Sequence, residues 1–266
     1  MTFGVIGGDR RQAELAALLA ADGISVVTYA LGGDETLEEA AQADVILLPL
    51  PLSKMDGQMN CEEDPMPLGR LFASLRPDQL ILAGQVKETE HREAARYGLT
   101  IKDYFLREEL TIANAAITAD CAIRIAAERL GEPLPQTLVL GFGRIGKLLC
   151  QRLQTLGVHV TAAARKSEDL AWAKAYGYGA LDISALSGQL SGFGLVFNTV
   201  PELVLPENLA GELGTDCLCI DLASQKGIGL PEGERCVWAR GLPGKMAPKA
   251  AATAIRETVE HILAEQ

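Results

Sequence analysis

Thr137-Leu138-Val139-Leu140-Gly141-Phe142-Gly143-Arg144-Ile145-Gly146 decides the fold. An apolar strand, Thr137–Leu140, runs straight into G-x-G-x-x-G, and a helical pattern, Arg144–Leu156, opens inside the motif. Alone, the glycine spacing is a weak signal; between a strand and a helix it is informative. The first glycine permits the tight turn, the second lets a pyrophosphate approach the backbone, and the third allows close helix–strand packing. N–H groups at the helix start then face the negative phosphates. The motif therefore predicts a dinucleotide held by Gly141, Phe142, Gly143, Arg144, Ile145 and Gly146.

The strand that follows sets the expected cofactor. An NAD site usually ends it with an acid that holds the ribose 2′-hydroxyl. Here the chain reads Thr161-Ala-Ala-Ala-Arg165-Lys166-Ser167. Two cations and a hydroxyl suit a 2′-phosphate, so NADP is expected and NAD is the alternative.

Outward from the loop, strands continue at Val158–Ala163, Leu195–Asn198, Cys217–Asp221 and Cys236–Ala239. Before it, Phe3–Ile6, Ile24–Tyr29, Val45–Leu48, Gln79–Leu82 and Leu99–Ile101 alternate with helical stretches such as Val86–Tyr97. This order predicts α/β architecture: two Rossmann-like three-layer α/β/α domains with mostly parallel sheets. A helix over 114–131 joins them, stopped by Gly131-Glu-Pro-Leu-Pro. The expected division is a substrate-side domain over 1–113, the joining helix, and a dinucleotide domain over 132–246. Ile255, Val259, Ile262 and Leu263 form an amphipathic C-terminal helix, about 247–266, expected to return to the first domain.

Bulk properties narrow the function classes. The 266 residues are 48% hydrophobic and carry a formal charge of −11. That charge argues against nucleic acid, which needs a basic face. No basic-then-apolar leader opens the chain, and no apolar run is read as reaching the roughly 18 residues of a membrane span. A cytoplasmic protein is expected. Six cysteines show no C-x-x-C pair, and Cys217 and Cys219 are read as facing opposite sides of a strand; neither a disulfide framework nor a metal site is expected. None of His91, His159 and His261 falls at a strand tip beside an acid, so a histidine–carboxylate hydroxy-acid mechanism lacks support.

Several strand tips carry candidate ligand groups. Asn198-Thr199-Val200-Pro201 and Asp221-Leu-Ala-Ser224 end consecutive strands with small polar residues suited to a cofactor wall. Gly7-Gly8-Asp9-Arg10-Arg11-Gln12 imitates a dinucleotide loop without its third glycine, and still offers anion-binding amides plus Arg10. Pro49–Pro67 is too long for a routine connection and is read as a substrate loop or a surface loop. Gly241-Leu-Pro-Gly-Lys-Met-Ala-Pro-Lys249 delivers a lysine to a helix start, where the dipole disfavours cations. That points to carboxylate binding or proton transfer by Lys249.

Together, Val5-Ile-Gly-Gly-Asp-x-Arg-Gln, Val139-Leu-Gly-x-Gly-Arg-x-Gly, Asn198-Thr-x-Pro, Asp221-Leu-Ala-Ser and Gly241-Leu-Pro-Gly-x-x-Ala-Pro-Lys-x-Ala resemble the dipicolinate synthase A-subunit family over nearly the whole chain. The resemblance implies NADP-dependent oxidation of a dihydrodipicolinate-type intermediate to dipicolinate, in the mother cell of a sporulating bacterium. A flavoprotein-like B subunit is the implied partner, and a homo-oligomer is expected besides. Two positions depart from the family pattern: Gln225-Lys226-Gly227 replaces a Pro-Gly-Gly-like turn, and Thr118-Ala119-Asp120-Cys121 replaces Thr-x-Glu-Gly. Arg10, Ser53, Thr118 and Lys249 are the expected grip on a dicarboxylate, as donors at expected domain edges. Lys249 or Asp120 is the expected proton acceptor. Alternatives are another small-acid dehydrogenase of the same build, and an NADP-binding regulatory subunit without chemistry of its own.

Overall fold

The structure, a computed structural model, describes residues 1–55 and 57–266. The chain divides into two compact units, Met1–Asn114 with Pro243–Gln266, and Ala115–Leu242. The central strands of each, such as Val45–Leu47 and Thr137–Leu140, are buried along their whole length, the pattern of parallel sheets covered by helices on both sides.

In the first unit, β1 (Thr2–Ile6), α1 (Arg10–Ala21), β2 (Ser25–Tyr29), α2 (Leu37–Ala40) and β3 (Val45–Leu47) lead into a short hairpin, β4 (Ser53–Met55) and β5 (Gln58–Met59). Then follow α3 (Leu68–Ser74), β6 (Leu80–Ala83), α4 (Glu88–Ala95) and β7 (Ile101–Asp103). The five-stranded parallel sheet has the order β2-β1-β3-β6-β7. Side chains alternate between its faces: Phe3, Val5 and Leu47 pack with Leu15, Leu19, Ile255 and Val259, whereas Ile6, Ile46 and Leu48 pack with Leu71, Phe72 and Ala94. The order reverses between β1 and β3, so the loops leaving those two strands diverge there. Such a switch point is where open α/β sheets bind ligands.

A long helix, α5 (Glu108–Leu130), runs across the division between the units. It begins before the expected Asn114, because Glu108 and Glu109 supply the acids that favour a first turn. By length and composition it is apolar enough to cross a membrane, where the sequence reading expected no such run. Ala119, Ala122 and Ala126 are nevertheless fully buried, and Asp120 is ion-paired with Arg152.

In the second unit, β8 (Thr137–Leu140), α6 (Arg144–Thr155), β9 (Val160–Ala164), α7 (Ser167–Ala175), β10 (Gly179–Asp182), β11 (Leu195–Asn198), α8 (Glu207–Ala210), β12 (Leu218–Asp221) and β13 (Cys236–Trp238) form a six-stranded parallel sheet and its covering helices. Its order, β10-β9-β8-β11-β12-β13, is that of a dinucleotide-binding sheet, with the reversal between β8 and β11. Cys217 and Cys219 do not face opposite sides. They are two residues apart and share a face, packing in the same core cluster. The chain ends with α9 (Leu242–Met246) and α10 (Pro248–Ala264), and α10 packs along α1.

Candidate functional site

The β8–α6 turn has the geometry its glycines imply. Gly141 sits at φ +94, where a side chain would be strained, and its N–H donates to Ala163 O at 2.8 Å. A Cβ on Gly146 would collide with the Gly141 carbonyl oxygen, so the helix approaches the turn as closely as only glycine allows. Gly143 differs: a Cβ there meets nothing within 4 Å. The middle glycine keeps space open beside the first turn of α6, and as the cap of that helix it offers the turn no side chain. Open space against free helix N–H groups is what a dinucleotide pyrophosphate requires.

The β11 tip builds the other wall of this switch point. Thr199 donates through Oγ1 to Leu140 O at 2.9 Å, and the same oxygen lies against Gly141. Asn198 and Asp221, expected on the cofactor, have their polar groups committed inside the protein. Asn198 Nδ2 donates to Asp221 Oδ1 at 2.8 Å and to Val200 O at 3.0 Å. Asp221 also accepts from the N–H groups of Ala223, Gly227 and Ile228. The pair ties the β11 and β12 tips to the loop after β12. Gly227, where the chain departs from the Pro-Gly-Gly pattern, still supplies the glycine that Asn198 and the Val200 and Glu202 carbonyls leave no room to replace.

Arg165, Lys166 and Ser167 follow β9, all exposed. Arg165 is paired with Glu202 at 3.0 Å, with both side chains more than half exposed. An exposed pair of this kind contributes about 0.2–1 kcal/mol and yields readily to a competing anion.

The other candidates fall into both units. Thr118 and Asp120 lie on α5; Thr118 is buried, and Asp120 holds Arg152. Ser53 is buried in the first unit and its hydroxyl donates to Glu90, so it is engaged within the protein. Arg10 opens α1 and is exposed. Lys249 is the second residue of α10, after Pro248 at its first position, and is exposed. The Pro49–Pro67 segment, expected to be loop, carries the β4–β5 hairpin, paired from Ser53 to Met59; Asp56 lies outside the described residues.

Sequence reading missed Arg11 in favour of its neighbour. The Arg11 guanidinium clamps Asp9, the cap of α1, at 2.6 Å and donates to the Leu50 carbonyl. Burial raises the Asp9 carboxyl, but the bonds and charge of Arg11 outweigh it and leave Asp9 below the ordinary carboxylate value. Only the fold reveals which arginine of the pair turns inward.

Residues 2–105 match the family model of the dipicolinate synthase A-subunit N-terminal domain. The whole chain aligns at 24% identity with the dipicolinate synthase A subunit of Bacillus subtilis (strain 168), covering 100% of this chain and 96% of that protein. The chain resembles the dipicolinate synthase A subunit. The solved structure of the dipicolinate synthase A subunit of Bacillus halodurans superposes with a TM-score of 0.81 at 24% identity, covering 100% of this chain and 98% of that one. A transhydrogenase from Sinorhizobium meliloti shares the fold with a TM-score of 0.72 at 15% identity, over 98% and 92% of the two chains. The likeness to dipicolinate synthase thus extends beyond the matched domain to both units.

Proposed function

We propose that this chain is an NADP-dependent dehydrogenase that oxidises a dihydrodipicolinate-type intermediate to dipicolinate, working with a flavoprotein-like B subunit. The observation that carries the reading is the β8–α6 turn, with Gly143 open beside the helix start at the switch point of a sheet ordered for dinucleotides. The full-length resemblance to a dipicolinate synthase A subunit supports the substrate.

In this reading Gly141–Gly146 hold the pyrophosphate, and Arg165, Lys166 and Ser167 hold the 2′-phosphate. The Thr199–Pro201 tip lines the nicotinamide ribose, while Asn198 and Asp221 position that tip. NADP⁺ held there would supply the hydride acceptor, the balance being dihydrodipicolinate and NADP⁺ to dipicolinate, NADPH and one proton. The ring becomes aromatic, so the demand on the protein is orientation of a dicarboxylate more than acid–base power. Arg10 and Lys249, both of the first unit, supply the cations for that grip. Of the two proposed proton acceptors, Asp120 already engages Arg152 through its carboxylate, and Lys249 accepts a proton only as the neutral amine, so gripping and proton acceptance are alternative roles for it.

Titration of the chain with NADPH and NADH tests the reading, in wild type and Arg165→Ala. NADPH should bind and weaken several-fold in the variant, with NADH unaffected. Failure of both nucleotides to bind would overturn the dehydrogenase reading. Lys249→Ala should raise the substrate KM or lower turnover; unchanged kinetics would remove Lys249 from the site.

A further inference from the structure

Gln12 is a buried amide with its hydrogen-bonding capacity unused. Only 2% of it is exposed, and neither Oε1 nor Nε2 has a partner among the described residues. Gln79 in the same unit shows the ordinary arrangement. Its Nε2 donates to Ala41 O and Ala43 O, and its Oε1 accepts from Arg76 N at 2.6 Å. A buried polar group left unsatisfied costs about 1–3 kcal/mol, so an orphaned amide implies a missing partner.

The orphan lies at a particular place. Gln12 is in the first turn of α1, and its side chain turns back over Gly8, lying where a Gly8 Cβ would stand. Gly7 and Gly8, both at positive φ, bend the chain out of β1. Against them runs the segment after β5: a Cβ on Gly7 would meet Met59 Cε at 2.6 Å, and Glu62 N donates to Gly8 O at 3.1 Å. On that segment Asn60, 3% exposed, donates to Pro51 O at 3.1 Å, yet its Oδ1 has no partner among the described residues. The loop after β3 is held on one side by Arg11, through Leu50 O, and on the other by Asn60. Two orphaned side chains thus flank the β1/β3 switch point beside a helix start.

We propose that this switch point of the first unit binds a small carboxylate bearing an adjacent N–H or O–H donor, through Gln12 and Asn60. Gln12 Nε2 donates to the carboxylate, with Arg10 at its outer side; the Arg11 and Gln12 N–H groups of the α1 first turn are already taken by Asp9. Gln12 Oε1 and Asn60 Oδ1 accept from the neighbouring donor. A bare phosphate or a monocarboxylate without a donor leaves both acceptors unsatisfied, and so is the poorer ligand. This deepens the function proposed above, on whose substrate class it rests: a cyclic dicarboxylate whose ring nitrogen carries a hydrogen has the required pattern, whereas the aromatic product, with a bare pyridine nitrogen, lacks it.

The test uses the full chain and two probes of similar shape, cis-piperidine-2,6-dicarboxylate and cis-cyclohexane-1,3-dicarboxylate, which differ at the ring position between the carboxylates, where the first carries a protonated nitrogen. The comparison with Gln12→Met, which leaves the probe charges alike, separates the hydrogen-bond contribution from that of charge. Calorimetric titration of wild type should show the piperidine compound binding at least tenfold more tightly. Gln12→Met, nearly isosteric, should abolish that preference while leaving NADPH affinity at the β8–α6 turn unchanged. It should also leave the ligand-free Tm equal or raised, because the orphaned amide is gone. Equal binding of the two probes in wild type, or a preference that survives Gln12→Met, would overturn the proposal. So would a Tm lowered by several degrees with binding intact, since Gln12 would then be satisfied within the protein. Loss of nucleotide binding in wild type bears on the dehydrogenase reading alone, so the two failures are distinguishable.

Discussion

Gly143→Ala separates a glycine kept for a ligand from one kept for packing. In the structure a Cβ at Gly143 has no neighbour within 4 Å, and the residue sits at φ −81, ψ −161, which alanine adopts freely. Two small effects of opposite sign govern stability. Restricting the unfolded chain stabilises by about 0.4–1 kcal/mol, and a poorer helix cap costs about 0.5–1 kcal/mol. The net is near zero and the Tm should move by no more than a few °C. Binding should respond differently, because the methyl group fills the space through which phosphates reach the α6 N–H groups. Losing one hydrogen bond to a charged group, about 1.5–3 kcal/mol, weakens NADPH roughly ten- to a hundredfold. The control is Gly146→Ala, whose Cβ collides with the Gly141 carbonyl oxygen and should lower Tm markedly. Differential scanning calorimetry with fluorescence titration of NADPH reads both quantities. Gly143→Ala binding within twofold of wild type would refute the reasoning, as would a Tm loss matching that of Gly146→Ala.

Three further outcomes follow from the same geometry. Glu202→Gln releases Arg165 from its exposed pair and should tighten NADPH about two- to threefold at low salt without changing NADH; an unchanged ratio would remove Arg165 from the phosphate site. Asp221→Ala leaves Asn198 Nδ2 and three backbone N–H groups without their acceptor in the interior, and should destabilise by about 3–5 kcal/mol in urea melts, with under 1 kcal/mol counting against the tie between the two strand tips. Asp9 is depressed below its unfolded value, so its pairing with Arg11 stabilises above about pH 4 and is lost as pH falls through the lower folded value. The Tm gap between wild type and Asp9→Asn should therefore be widest near neutrality and close in acid; a gap independent of pH would show that charge is not involved.

The legible parts of the site were those where local backbone geometry and function make the same demand. Gly141 and Gly146 are readable because each satisfies a steric condition set within a few residues of itself, and Gly143 because it stands between them in the motif. Arg165 could be placed at a strand tip, but not paired with Glu202, 37 positions away. Asn198 and Asp221 were read as facing a ligand because both end strands; their mutual hydrogen bond depends on β11 and β12 being neighbours in register, Asn198 opposite Asp221. Ser53 looked like a free hydroxyl until Glu90, on α4, took it.

By itself the sequence determined the α/β class, the parallel sheets and the glycine turn after β8, since apolar periodicity and glycine spacing are local and act before any long-range contact forms. Only the tertiary structure decided the two strand orders, and with them the β1/β3 and β8/β11 switch points, because sheet order is a choice among non-local pairings. It also decided which polar residues are satisfied and which are not. Arg10 and Arg11 are adjacent in sequence, yet one is exposed and the other clamps Asp9 and Leu50. Gln12 and Gln79 are the same residue type and both buried, yet Gln79 is fully bonded and Gln12 is left with both ends of its amide unmatched among the described residues. Satisfaction of a buried polar group is a property of its neighbours in space, and sequence does not name them.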